Sequence, residues 1–120
     1  MDTIKSAPIV YFEIAGPEAS ALKDFYATLF GWNINADYQI LPDATQTLRG
    51  GIRQDPAEKM LYIGVSDINP VLEAIQAQGG TVVIPRTVVP EVVIFALFTD
   101  PAGNRMGLVE FPKPDEAPAP

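Results

Sequence analysis

Apolar positions in this chain follow two periods, and the order of the periods occurs twice. Ile9 to Ile14 is an apolar, β-rich run bounded by Pro8 and by Gly16-Pro17, the pattern of a strand. Leu22, Phe25, Tyr26 and Leu29 then recur at helical spacing, and Gly31 supplies the left-handed residue that ends a helix. Met60 to Val65 repeats the strand, Val71, Leu72 and Ile75 repeat the helix, and Gly79-Gly80 repeats the stop. Extended segments follow each helix, and each half closes on an Arg-x-Gly-aliphatic run: Arg49-Gly50-Gly51-Ile52, then Arg105-Met106-Gly107-Leu108. Each half therefore reads β-α-β-β-β, and two such halves predict an α+β domain with curved sheets.

The punctuation refines these elements. Two or three strands are expected between Trp32 and Ile52, and Thr81 to Ile84, Val92 to Thr99 and Arg105 to Phe111 in the second half. Asn69 is the expected N-cap of the second helix, with Pro70 as its first residue. Asp100-Pro101-Ala102-Gly103-Asn104 is a turn: Asp accepts from backbone, Pro presets φ and Gly takes positive φ. The expected modules are 8–53 and 60–111, joined by the polar stretch Gln54 to Lys59, within one domain over 1–111. Pro112 to Pro120 is a Pro-rich tail. Phe25, Tyr26, Leu29, Leu72 and Ile75 are assigned to the core.

Composition narrows the function classes. The chain has 120 residues, a net charge of −7, and neither His nor Cys. The acidic balance argues against nucleic acid and favours a cationic or neutral small partner. No apolar run approaches the roughly 20 residues that cross a bilayer, and no leader peptide is evident, so a cytoplasmic location is expected. Without His, a nucleophile–base triad lacks its usual base. Without His and Cys, only hard, all-oxygen metal coordination is left. Arg49-Gly50-Gly51-Ile52 is too short for a phosphate loop and belongs to a strand.

Phe25-Tyr26-x-x-x-Phe30-Gly31-Trp32, Gly79-Gly80-Thr81-Val82 and Asp100-Pro101-x-Gly103-Asn104-x-x-Gly107-Leu108 occur in one order across residues 8 to 111. In this order they resemble the vicinal oxygen chelate superfamily, which includes glyoxalase I, bleomycin-resistance proteins and extradiol dioxygenases. The resemblance implies paired βαβββ modules whose sheets curl into a cup, and a homodimer. In metal-dependent members His and Glu side chains point into that cup. Counted from the motifs, their positions fall here on Tyr11, Met60 and Gly107, with the fourth near Gly50 to Ile52. No metal and no cofactor are therefore expected. Glu110 lies three residues beyond Gly107, on the opposite strand face, and is not the family's metal ligand.

The candidate ligand-binding residues are Tyr11, Glu13, Met60, Tyr62, Arg105 and Gly107, with Gly51 and Gly107 leaving space for the ligand. Glu13 shares a strand face with Tyr11 and is either an anchor or base in the cup, or a partner of Arg49 or Arg105. One of Phe95 and Phe98 lines the cup and the other packs under a helix. The reading is a metal-free small-molecule-binding protein, its ligand cationic or aromatic and held between the modules, with no catalytic residue assigned. The alternatives are a metal-independent lyase or isomerase with Glu13 as base, and a non-catalytic interaction module.

Overall fold

The computed structural model describes residues 6–42 and 48–111; the Pro-rich tail lies outside the described residues. The elements run β1 (Ile9–Gly16), α1 (Ala19–Phe30), β2 (Gln39–Ile40), β3 (Arg49–Gln54), β4 (Glu58–Val65), α2 (Ile68–Ala77), β5 (Thr81–Val89), β6 (Val93–Thr99) and β7 (Arg105–Glu110). The fold is α+β, with two helices and seven strands among the described residues, in mixed parallel and antiparallel pairing. The chain forms two compact units. One is Val10–Leu61; the other joins the chain up to Ile9 to the chain from Tyr62 onward.

In the Val10–Leu61 unit, β1 pairs in parallel with β3, and β2 pairs antiparallel with β3. Two strands, β2 and β3, lie between Trp32 and Gln54 among the described residues, and an isolated bridge joins Ile34 to Ile40; residues 43–47 lie outside the described residues. Ala19, Ile34, Ile40 and Ile52 form the core, with Phe12, Leu22, Tyr26 and Trp32 packed on it. The α1 helix thus lies over Phe12 and Ile52. By strand alternation Tyr11, Glu13, Gly51 and Arg53 occupy the opposite, helix-free face.

The α1 stripe that faces the sheet is Ala19, Leu22 and Tyr26. Phe25 and Leu29, assigned to the core from spacing, are instead exposed, as is Phe30. Apolar residues occupy both flanks of this helix, so periodicity alone permits either face. The small Ala19, in the first turn, sits buried against the sheet. Tyr26 stacks on Trp32, with ring centroids 5.0 Å apart, which closes the stripe where Gly31 turns the chain (φ 66°).

In the other unit, β4 pairs in parallel with β7, and β5, β6 and β7 form an antiparallel meander. This is the expected βαβββ order. Val65, Ile68, Leu72, Ala96, Phe98 and Leu108 form its core under α2, and Ile75 packs against them as expected. Phe98 therefore is the aromatic under the helix, and Phe95, paired with Val109, takes the helix-free face. The N-terminal Ala7 packs in this same core, and Pro8 accepts a hydrogen bond from the Gly64 amide.

Two boundaries differ from expectation. The β5 strand continues through Pro85, beside breaks in its register with β6. It is the outer strand of the meander, where a missing donor is tolerated. The β4 strand begins at Glu58, so only residues 55–57 separate it from β3, and Glu58 and Lys59 are strand rather than linker.

Candidate functional site

On the helix-free face of the Val10–Leu61 unit, four side chains close around Arg53. Each of its three guanidinium nitrogens meets its own carboxylate. Nε donates to Glu13 Oε1 at 3.1 Å, Nη1 to Asp55 Oδ2 at 2.7 Å and Nη2 to Glu58 Oε2 at 2.7 Å. Nη2 also lies 3.6 Å from the sulfur of Met60, which is 2% exposed. Glu13 comes from β1, Arg53 from β3, Asp55 from the bend after it, and Glu58 and Met60 from β4. Three carboxylates around one cation leave an acidic, partly dehydrated surface. Burial opposes the charge on Arg53, but hydrogen bonds to Glu58 and Asp55 and the charge of Glu13 outweigh it. The guanidinium is held protonated more firmly than usual.

Tyr11 completes this face. Its hydroxyl lies over Gly51, in the space a β-carbon there would take. Burial, and then the charge of Glu13, raises the phenol above its usual 10.0. A raised folded-state value means that the folded chain keeps this proton longer than the unfolded chain does. Its contribution to stability is complete below pH 10.0 and is lost as pH rises through the higher folded value. Across the physiological range Tyr11 is thus a neutral hydrogen-bonding group. In a phenolate absorbance titration of the folded chain, Tyr11→Phe is expected to remove a step that lies above pH 10.0. A variant curve that keeps that step in full would contradict it.

In the other unit, Tyr62 covers Gly107 with its ring. The two residues are paired across β4 and β7, and the ring fills the space above the glycine. Both lie on the helix-free face, since Ile63 and Leu108 pack in the core. Arg105, at the start of β7, is exposed. Glu110 lies on the opposite face from Gly107, as strand alternation requires. It accepts from Arg86 Nε at 3.0 Å, from Arg86 Nη2 at 2.7 Å and from the Ile68 amide at 2.9 Å. It thereby caps α2. The helix begins at Ile68 with Asp67 at the cap position, and Asp67 makes no side-chain cap bond. The expected Asn69 cap falls inside the helix, C-terminal to the observed cap at Asp67.

The structure thus gathers Tyr11, Glu13 and Met60 in one unit and Tyr62 and Gly107 in the other, all on helix-free faces. It corrects one expectation: Gly51 and Gly107 are not open ligand space, because the Tyr11 hydroxyl and the Tyr62 ring occupy it. It also gives Glu13 a partner that the sequence did not offer, Arg53. Arg53 and Glu58 are the residues that sequence reasoning missed. Period two from Gly51 reaches Arg53, and period two back from Met60 reaches Glu58, once Glu58 is read as strand.

The donor set does not suit a divalent ion. Tyr11, Met60 and Gly107 stand at the positions where the resemblance places metal ligands. Among the described residues no group of three His, Cys, Asp or Glu side chains is arranged to hold one. The three converging carboxylates already enclose a guanidinium. No helix among the described residues is long and apolar enough to cross a membrane.

No family model and no curated protein matches the chain by sequence. Solved structures do match. A hypothetical protein from Bacillus halodurans aligns with a TM-score of 0.65 at 12% identity, over 91% of this chain and 97% of its own. A glyoxalase/bleomycin resistance protein/dioxygenase superfamily member from Vibrio splendidus aligns with a TM-score of 0.61 at 12% identity, over 86% and 97%. Methylmalonyl-CoA epimerase from Mycobacterium tuberculosis aligns with a TM-score of 0.59 at 16% identity, over 93% and 88%. The chain has the vicinal oxygen chelate fold of these proteins.

Proposed function

We propose that this chain binds a small organic cation without a metal ion, on the helix-free face that carries Tyr11, Glu13, Arg53, Glu58 and Met60. The observation that carries the reading is the charge of that face. Three carboxylates meet the one guanidinium of Arg53; with Arg49 on the same strand face, these named groups still count one more carboxylate than guanidinium. A cationic ligand gains from it, and an anion is repelled. The neutral Tyr11 phenol offers a hydrogen bond beside that charge, and Met60 a polarisable apolar wall. An aromatic amine matches all three elements.

The test is thermal-shift and calorimetric screening of small organic amines against wild type and Glu13→Gln. At least one amine is expected to raise Tm, and Glu13→Gln to weaken its binding about tenfold, the effect of about 1.4 kcal/mol. Amine binding that is indifferent to Glu13→Gln, or a complete absence of amine binding, would refute the reading.

A metal-independent lyase or isomerase with Glu13 as base draws on the nearness of Glu13 to Tyr11, and an epimerase shares the fold. The hydrogen bond from Arg53 occupies one of the two oxygens of Glu13, so a base role would fall to Oε2. Loss of turnover at unchanged affinity in Glu13→Gln would favour the enzyme over the binder.

A further inference from the structure

We propose that the outer row of α1, formed by Ala21, Phe25 and Leu29, is the seam at which two copies of this chain pair, helix against helix and antiparallel. The resemblance implies a homodimer but assigns it no surface; this row supplies one. The three residues recur every four positions and so form a single ridge along the helix. All three are exposed, Phe25 at 51% and Leu29 at 61%. The core of the Val10–Leu61 unit takes Ala19, Leu22 and Tyr26 from the helix and leaves this ridge out. The second helix shows that covering a sheet does not call for such residues. The exposed positions of α2 are Asn69, Glu73, Gln76 and Ala77, with no large apolar side chain among them.

The occupant follows from the shape and charge of the ridge. Phe25 stands midway between the small Ala21 and the large Leu29. A two-fold axis at Phe25 therefore sets Ala21 of each copy opposite Leu29 of the other, small against large at both ends. Phe25 meets its own counterpart at the centre, where an aromatic pair gains beyond the area it buries. No member of the ridge is charged, which self-pairing of a chain with net charge −7 requires. Phe25 and Leu29 together leave roughly 200 Å² of apolar surface per chain. A standard interface takes about 800 Å² from each partner, so the ridge is the centre of a small interface and the dimer dissociates on dilution. Because α1 covers the other side of β1 and β3, pairing leaves the face with Tyr11 and Glu13 open in both copies.

The experiment is sedimentation velocity over a wide concentration range on wild type, Leu29→Asp and Phe25→Ser, joined to a cross-linking test. Wild type is expected to pass from monomer to dimer as concentration rises. Leu29→Asp is expected to raise the dimer Kd at least about tenfold, with circular dichroism and Tm unchanged in the dilute monomer. The chain has no Cys, so an oxidised mixture of Ala21→Cys and Leu29→Cys chains should give the mixed disulfide in preference to either like pair. A wild type that stays monomeric throughout would overturn the proposal. So would a dimer that Leu29→Asp leaves intact, because its seam then lies elsewhere. Cross-linking of like chains in preference would overturn the antiparallel arrangement. If Leu29→Asp fails to fold, Phe25→Ser makes the same comparison, and the cross-linking test needs neither variant.

Discussion

Replacing Glu110 by alanine is expected to cost about 3 kcal/mol of stability, the largest single effect of a charged residue in the described chain. Its side chain is 5% exposed and serves two partners at once. One is Arg86, through two hydrogen bonds; the other is the amide of Ile68, a residue with no exposed surface at the first position of α2. Breaking a buried ion pair typically costs about 3–5 kcal/mol, because the surviving charge loses its partner. Arg86 is 31% exposed and can turn to water, which lowers the figure. The orphaned Ile68 amide has no such escape and raises it again, by about 1 kcal/mol. For a chain of this size the sum corresponds to a fall in Tm of about 10 °C or more. Glu110→Gln keeps an acceptor for the Ile68 amide and should lose less than Glu110→Ala. Urea and thermal unfolding of both variants checks the order. Equal losses would mean that the ion pair carries everything and the helix cap nothing.

The second large effect is expected at Gly50. Phe12 lies directly over it, paired across β1 and β3, on the face that packs under α1. Any β-carbon at position 50 meets the Phe12 ring well inside van der Waals contact. Gly50→Val must displace that ring from a packed core, at about 1–3 kcal/mol for the overpacking and more if Phe12 is expelled. Gly107→Val makes the same clash with Tyr62, but that ring lies on a helix-free face rather than in the packed core. Its cost is expected to be about 1 kcal/mol or less, within the range of ordinary surface and half-buried changes. Chemical denaturation of the two valine variants is the check. A Gly107→Val loss as large as that of Gly50→Val would show that Tyr62 is held as rigidly as Phe12.

These sites also show which parts of the molecule the sequence discloses. Local alternation was enough to place Tyr11 with Glu13, and Glu110 opposite Gly107, because a strand's faces follow from counting. It was also enough for the second βαβββ unit, whose turn at Asp100 and glycine stop at Gly79 carry their own chemistry. Alternation does not reveal which strand lies beside which, or in what register. That information is what assigns Arg53 to Glu13, the Phe12 ring to Gly50, and Glu110 to the start of α2. The α1 face was illegible for a different reason. Leu22 and Tyr26 on one flank and Phe25 and Leu29 on the other offer two apolar stripes, and only packing against Ile52 and Ile40 chooses between them. Glu58 was hidden because a polar stretch beside Pro56 reads as linker until the strand is seen to start within it.

The two parallel pairings have a consequence for how the chain reaches this state. The β5-β6-β7 meander joins neighbouring segments and can zip from its own turns. The pairs β1 with β3 and β4 with β7 each join the first and last strands of a unit, so a helix and its loops must be threaded before either pair closes. Contacts between distant segments cost loop entropy before they return anything. The meander is therefore the natural early structure, and the parallel pairs form late. Latest of all is the placement of Ala7 and Pro8, which precede β1 and complete a core whose other members begin at Ile63. These two residues can dock only after strands far downstream of them have formed.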